Sequence, residues 1–426
     1  MSADTIFALS SGRPPAAISV IRISGPQAHA AGTSFAGRLP APRRAALRVL
    51  RNAGGGMLDE ALVLRFDGPA SSTGEDIVEF QCHGSRAVVD AVLSEMASLD
   101  GLREAAPGEF TRRAFENGLI DLTEAEGLAD LLEAETESQR KAALAMAEGG
   151  LRRQVAIWQE RVLQLSARAE AAIDYIDEDG VDLDPALGRD CTAIADDLSS
   201  WLDRARAEPL KDGIRVVVAG PPNAGKSSLI NAIAGQEKAI VTAIPGTTRD
   251  YIEIPVSIAG TPVLLTDTAG LRDTSDPIER IGVDRARQIA DGADIIVWMG
   301  ELQDAPPARY LLLVHGRCDL PDRRQVPAGS LAVSSVSGQG IPALLEEIGR
   351  LSRLLLPAEG ALALNRRQAA HIAEARDALR RYSDASDVVL IAEHLRAARG
   401  AFDRLTGRAG VEDLLDALFG RFCLGK

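Results

Sequence analysis

Eight consecutive residues carry the plainest chemistry in the chain. Gly220-Pro221-Pro222-Asn223-Ala224-Gly225-Lys226-Ser227 fits the pattern G-x-x-x-x-G-K-[ST]. Glycines let successive backbone N–H groups curl around phosphate oxygens, and a helix starting there adds positive partial charge. Lys226 reaches the β- and γ-phosphates of a nucleotide, and the Ser227 hydroxyl is placed to ligate Mg²⁺. Asp267-Thr268-Ala269-Gly270 follows 41 residues after Lys226. Its carboxylate would hold Mg²⁺ through water, and the Gly270 N–H would sense a γ-phosphate. Between them lies Gly246-Thr247-Thr248-Arg249-Asp250. A threonine such as Thr248 in a switch loop closes on Mg²⁺ when the γ-phosphate is present. Each short match alone is an ordinary turn; order and spacing after the phosphate loop give them weight.

A base-reading segment should follow. GTPases usually carry Asn-Lys-x-Asp after a strand, the aspartate accepting from guanine N1 and N2. Here the strand ends in Val314-His315-Gly316-Arg317-Cys318-Asp319, so Gly316 replaces the asparagine and Arg317 the lysine. Ser334-Ser335-Val336 stands where Ser-Ala-Lys is usual. Guanine preference then rests mainly on Asp319, and a P-loop ATPase stays open as a rival.

The elements that must hold these residues are legible. Ile214 to Ala219 is a continuous apolar strand of the kind buried in a parallel sheet, and a helical pattern begins at Ser228. Tyr251–Ile258 and Pro262–Thr266 flank Ala259-Gly260 as a hairpin. Ile295–Met299, Leu311–Val314 and Leu331–Val333 are further strands. Before this α/β unit, residues 1 to about 117 read as mixed, with strands at 17–23, 61–66 and 76–80 and a helix at 87–99. From about 119 the Ala/Leu/Glu/Arg texture is helical, with Thr123-x-x-Glu126 spaced as a capping box. The chain turns helical again after Pro357. An α/β domain inserted into a helical one is the simplest reading.

The 426 residues suit about three domains, and 46% hydrophobic with 25% charged residues is a globular mix. A net charge of −14 excludes a globally basic nucleic-acid binder. Four cysteines without C-x-x-C spacing argue against a zinc site or disulfide framework. No signal peptide and no span of ~20 apolar residues is visible, so the expected compartment is the cytoplasm. Residues 361–426 carry 11 Arg/Lys against 9 Asp/Glu, a local surplus that would suit RNA phosphates or ordinary helix-surface pairs. His83 and His315 read as structural.

With these segments in view, the chain resembles the bacterial tRNA-modification GTPase family MnmE (TrmE) over essentially its whole length. The resemblance is carried by Ile21 to Gly25, Gly74-Glu75-Asp76, Pro107 to Phe115, Leu122 to Asp130, the Asn-containing phosphate loop, Gly246 to Asp250, Asp267 to Arg272, Glu279 to Gly282 and Cys423 to Lys426. It implies an α+β N-terminal folate-binding and dimerisation domain at 1–117. It further implies a split all-α helical domain at 118–210 and 357–426, and an inserted α/β Ras-like P-loop G domain at 211–356.

The implied activity is K⁺-dependent GTP hydrolysis driving conformational change in modification of carbon 5 of tRNA wobble uridine. The resemblance further implies that a one-carbon tetrahydrofolate derivative supplies the carbon, that the FAD protein MnmG is the partner and that the chain forms a homodimer. The rival is a regulatory GTPase of the ribosome-assembly type, which would not need the N-terminal region or the Cys-x-Gly-Lys end.

By resemblance, GTP is held by Asn223, Ala224, Gly225, Lys226, Ser227 and Ser228, by Thr242, Ala243, Ile244, Pro245, Gly246, Thr247 and Thr248, and by Asp267, Thr268, Ala269, Gly270 and Asp319. Mg²⁺ falls to Ser227 and Thr248, and K⁺ to Asn223, Thr242, Ile244 and Thr247. Folate falls to Arg22, Glu79, Leu119 and Lys426, with Leu119 standing where the family often has lysine. Leu271 occupies the place where Ras-type enzymes carry glutamine, so Glu279 is the expected catalytic group beside Lys226, and Cys423 is a candidate in the modification itself.

Overall fold

The computed structural model describes residues 4–174, 185–204, 206–221, 223–236, 253–267, 292–358, 361–381, 388–409, 412–422 and 425. The chain divides into two compact units. One comprises residues 1–129, 151–160 and 399–426; the other comprises 130–150 and 161–398.

The first unit is built on a six-stranded sheet. Its strands are β1 (Thr5–Leu9), β2 (Ile18–Ser24), β3 (Ala46–Arg51), β4 (Met57–Phe66), β5 (Ile77–His83) and β6 (Leu102–Glu104), in the order β3-β4-β5-β2-β1-β6. Only the β1–β6 pair is parallel. The strands expected at 17–23, 61–66 and 76–80 are present with shifted ends. Those at 5–9, 46–51 and 102–104 carry too little alternation to be read in advance.

Helices α1 (Ala28–Ala36) and α2 (Arg86–Ala97) cover one face, burying Phe35, Val92 and Met96 against Ile21, Ile23, Val63, Phe80 and Cys82. Ser85 caps α2 by accepting the Val88 N–H. Alternation along β2 and β5 turns Arg22 and Glu79 to the other face. There Phe110 of α3 (Glu109–Glu116) packs with Ile6 and Ala8.

The next helix, α4 (Leu122–Glu133), corrects one expectation. Its cap is Asp121, not Thr123. Asp121 Oδ1 accepts the Glu124 N–H at 2.9 Å, and Glu124 Oε2 accepts the Asp121 N–H at 2.8 Å. The same reciprocal box is thus closed two residues earlier, because an aspartate outcompetes a threonine that is already inside the first turn. The Gly149-Gly150 break separates α5 (Glu137–Ala147) from α6 (Gly150–Asp174).

The second unit holds helices α7 (Pro185–Leu202) and α8 (Glu208–Asp212) and a second six-stranded sheet. Its strands are β7 (Ile214–Ala219), β8 (Glu253–Ile258), β9 (Thr261–Asp267), β10 (Ile295–Trp298), β11 (Tyr310–Gly316) and β12 (Leu331–Val333). The order is β12-β11-β10-β7-β9-β8, all parallel except the β8–β9 hairpin. Ala259 at φ +50° and Gly260 at φ +76° make the two-residue turn that hairpin needs.

Between β7 and β8 lies α9 (Lys226–Gln236), and α10 (Ile341–Leu355) follows β12. Ile230, Ile233, Leu344 and Ile348 join Val216, Val218, Leu265 and Val297 in one core. Helices α11 (Arg366–Arg380), α12 (Val388–Thr406) and α13 (Glu412–Phe419) complete the chain. Parallel β7, β9 and β10 with a following helix give the α/β P-loop topology expected. Among the described residues, no helix is long and apolar enough to cross a membrane.

Candidate active site

The phosphate loop joins β7 to α9 at the carboxyl end of the parallel strands, where α/β sheets bind ligands. Asn223 has φ +61°, Gly220 φ +149° and Gly225 φ +97°, positive-φ conformations of the kind that let a loop curl around an anion. Lys226 is buried, and its Nζ donates to the Gly220 and Pro221 carbonyls at 3.0 Å each. Its ammonium thus stands inside the loop, at the N-terminus of α9. Ser227 and Ser228 are exposed in the first turn of that helix.

Asp267 ends β9 with its side chain buried. The β7–β9 register pairs it with Val218, two residues before Gly220. A hydroxyl at the helix start and a carboxylate at the neighbouring strand end are hard oxygen donors of the kind Mg²⁺ takes. Asn223 presents an exposed amide of the kind a monovalent cation accepts. Thr242, Ala243, Ile244, Pro245, Gly246, Thr247, Thr248, Thr268, Ala269, Gly270 and Glu279 lie outside the described residues.

The base-reading segment leaves β11 beside the phosphate loop. Register pairs Gly316 with Val333, so Asp319 and Ser334 belong to neighbouring loops. Cys318 N–H donates to Val333 at 3.3 Å. Ser334 is fully buried, its Oγ accepting the N–H groups of Val336 and Ser337 at 3.3 and 3.1 Å. Asp319 is exposed at the mouth. Arg317 adopts φ +60°, and a β-carbon on Gly225 would lie 3.6 Å from its Nε, so its side chain lies along the phosphate loop. His315 Nε2 lies 2.9 Å from the Arg323 carbonyl, a structural partner as expected.

A second constellation lies on the face of the first sheet that α3 partly covers. Arg22 and Glu79 occupy directly opposed positions of β2 and β5, and the Arg22 guanidinium sits 5.6 Å from the Phe110 ring centroid. Leu119 stands apart from this register, half-exposed after α3, its carbonyl accepting from Arg152. Cys423 and Lys426 lie outside the described residues, but Gly425 does not. A β-carbon on Gly425 would fall 2.2 Å from the Leu9 carbonyl oxygen, so Gly425 lies against the end of β1, the neighbour of β2. His83 pairs with Asp59 at 2.7 Å, again structural.

Sequence reasoning missed the buried Arg113. It donates to Glu75 at 3.1 and 3.2 Å, to Asp4 at 2.9 Å and to Glu109 at 3.1 Å. Burial alone would raise the Glu109 pKa, but bonds from Arg103, the Ala106 N–H and Arg113 outweigh it and hold the carboxyl below the usual range. Cys82 and Cys191 are buried thiols pushed up to about 12, chiefly by desolvation, and are inert.

A P-loop strand–loop–helix with a buried lysine, a strand-end aspartate and an adjacent base-reading segment defines a nucleotide-hydrolysing G domain. It is carried in a chain with a separate N-terminal sheet and long helices. The family described as "MnmE helical domain" matches residues 122–423, and "GTP-binding protein TrmE N-terminus" matches residues 5–119. The tRNA modification GTPase MnmE of Erythrobacter litoralis is 53% identical over 99% of this chain and 100% of its own length. Those of Novosphingobium aromaticivorans and Rhizorhabdus wittichii are 52% and 51% identical, over 99% and 100% of this chain and 100% and 97% of theirs. A solved FeoB G domain of T. maritima is 23% identical over 33% of this chain and 98% of its own, at a TM-score of 0.24, too low to bear on the fold. The chain belongs to the MnmE family of tRNA modification GTPases.

Proposed function

We propose that this GTPase modifies carbon 5 of the wobble uridine, using GTP hydrolysis to drive a conformational cycle. Its division of labour follows the sequence: residues 1–117 bind a one-carbon tetrahydrofolate and dimerise, 118–210 with 357–426 form the helical domain, and 211–356 form the G domain. The FAD protein MnmG is the partner and tRNA the substrate. The observation that carries this reading is the full-length match: similarity to relatives named tRNA modification GTPase runs through the N-terminal, helical and nucleotide-binding segments alike.

The chain's own residues suit the roles. Lys226 and the backbone of 223–228 grip the phosphates and orient the γ-phosphoryl group. Ser227 and Thr248 would hold Mg²⁺, with Asp267 acting through water, and the ion would supply charge neutralisation at the phosphates. Asn223, Thr242, Ile244 and Thr247 would hold K⁺, which would supply positive charge to the phosphoryl transfer. Arg22 offers a donor fork to a folate carboxylate, and Glu79 an acceptor for a pterin N–H edge. Cys423 supplies a thiol for the modification step.

The test is mass spectrometry of wobble uridines in tRNA from a deletion strain. Loss of a carbon-5 group, restored by the wild-type gene, supports the reading. An unchanged nucleoside profile overturns it in favour of a ribosome-assembly role. Cys423→Ser should leave GTP hydrolysis near normal while failing to restore the modification.

A further inference from the structure

Met299 follows β10, and its N–H donates to the Ala219 carbonyl at 2.8 Å. Its side chain is 7% exposed. It touches two functional segments at once. A β-carbon on Gly220 would fall 3.1 Å from Met299 Cβ. One on Gly316 would fall 2.5 Å from Met299 Cε and 3.2 Å from the Ala224 carbonyl oxygen. One on Gly225 would lie 4.0 Å from the same Cε. A single thioether therefore fills the gap between the phosphate loop and the start of the base-reading segment. A side chain at 316 and the Met299 side chain claim the same space.

We propose that Met299 is a positioning residue that braces residues 316–319 against the phosphate loop and thereby sets guanine selectivity. The inference rests on reading Asp319 as the guanine acceptor. Gly316 has no side chain with which to brace itself, and Arg317 sits in the left-handed region, a conformation that persists only where surrounding structure holds it. The unbranched, polarizable methionine is suited to an irregular gap. Its removal leaves a cavity into which Gly316 settles, shifting Asp319 against the base. Alanine keeps the Cβ that lies against Gly220 of the phosphate loop and loses the Cε that lies against Gly316, so the loss falls chiefly on base recognition.

The experiment measures GDP and ADP affinity of the full chain for wild type, Met299→Ala, Met299→Leu, Gly316→Asn, the double variant Met299→Ala/Gly316→Asn, and Asp319→Ala. Met299→Ala should weaken GDP binding about tenfold or more with ADP binding changed less than about twofold, while the double variant, in which the asparagine side chain enters the vacated space, recovers most of the loss. Met299→Leu, nearly equal in volume, should stay close to wild type. A double variant that binds GDP no better than Met299→Ala, or equal losses for GDP and ADP, overturns the brace. If Gly316→Asn alone fails to fold, folding of the double variant supports the shared space and its failure counts against it. An unchanged GDP-to-ADP ratio in Asp319→Ala overturns the base assignment itself, separately from the brace.

Discussion

Arg22 Nε donates to Glu79 Oε1 at 2.8 Å across directly opposed positions of β2 and β5, with both side chains only partly accessible. The pair stands on the sheet face away from α1 and α2, beside the Phe110 ring of α3 and mostly shielded from solvent. Two groups of opposite sign held this way already satisfy each other. A ligand that binds them must offer both a carboxylate and an N–H edge, as a folate does.

Arg22→Ala and Glu79→Gln should therefore each weaken binding of a reduced folate by about tenfold or more, the scale of a lost charge-assisted bond. GTP turnover should stay near wild type, because the pair lies in a different compact unit from the phosphate loop. Titration of folate fluorescence quenching, run beside a phosphate-release assay, checks both halves. Undiminished folate binding in both variants removes this face as the site.

Hydrolysis at fixed ionic strength should be about tenfold faster or more in KCl than in NaCl. Asn223→Ala should abolish the difference. Carbonyl and amide oxygens suit K⁺ by replacing its hydration shell. Equal wild-type rates in the two salts would refute the cation mechanism.

Glu279→Ala should lower turnover about a hundredfold, as loss of a water-activating group does, with GDP and GTP affinity unchanged. Leu271 cannot hydrogen-bond a water, so the role needs another polar side chain near the second switch. Single-turnover hydrolysis with saturating GTP separates the two quantities.

The Arg113 cluster fixes an acid limit. The Glu109 carboxyl is held below its usual range in the folded state, so its stabilising contribution is full above the ordinary carboxylate pKa of about 4.3 and is lost as pH falls through the lowered value. Glu109→Gln should cost about 1–3 kcal/mol at pH 7, the scale of hydrogen bonds to charged groups. The gap to wild type should close toward pH 2. Urea unfolding at both pH values measures it, and a pH-independent gap would show that charge is not the cause.

The nucleotide site was legible because it is local. A strand, a glycine loop and a lysine lie within 13 consecutive residues, and the chemistry of phosphate binding dictates their types and order. The Ala259-Gly260 hairpin was legible for the same reason, since a two-residue turn demands positive φ. The capping box was misplaced by two residues because Asp121 and Thr123 both fit the local pattern and only hydrogen-bond geometry decides between them. Other features were settled by residues far apart in sequence. Arg22 meets Glu79 through strand register, and Gly425 meets Leu9 across nearly the whole chain. Arg113 draws Asp4, Glu75 and Glu109 into one cluster around its buried guanidinium. Met299 fills the space above Gly316. None of these has a periodic or motif signature, because a contact between distant segments depends on how the elements pack. The sequence alone determined which chemistry the chain carries; the tertiary structure decided which side chains stand close enough to perform or support it.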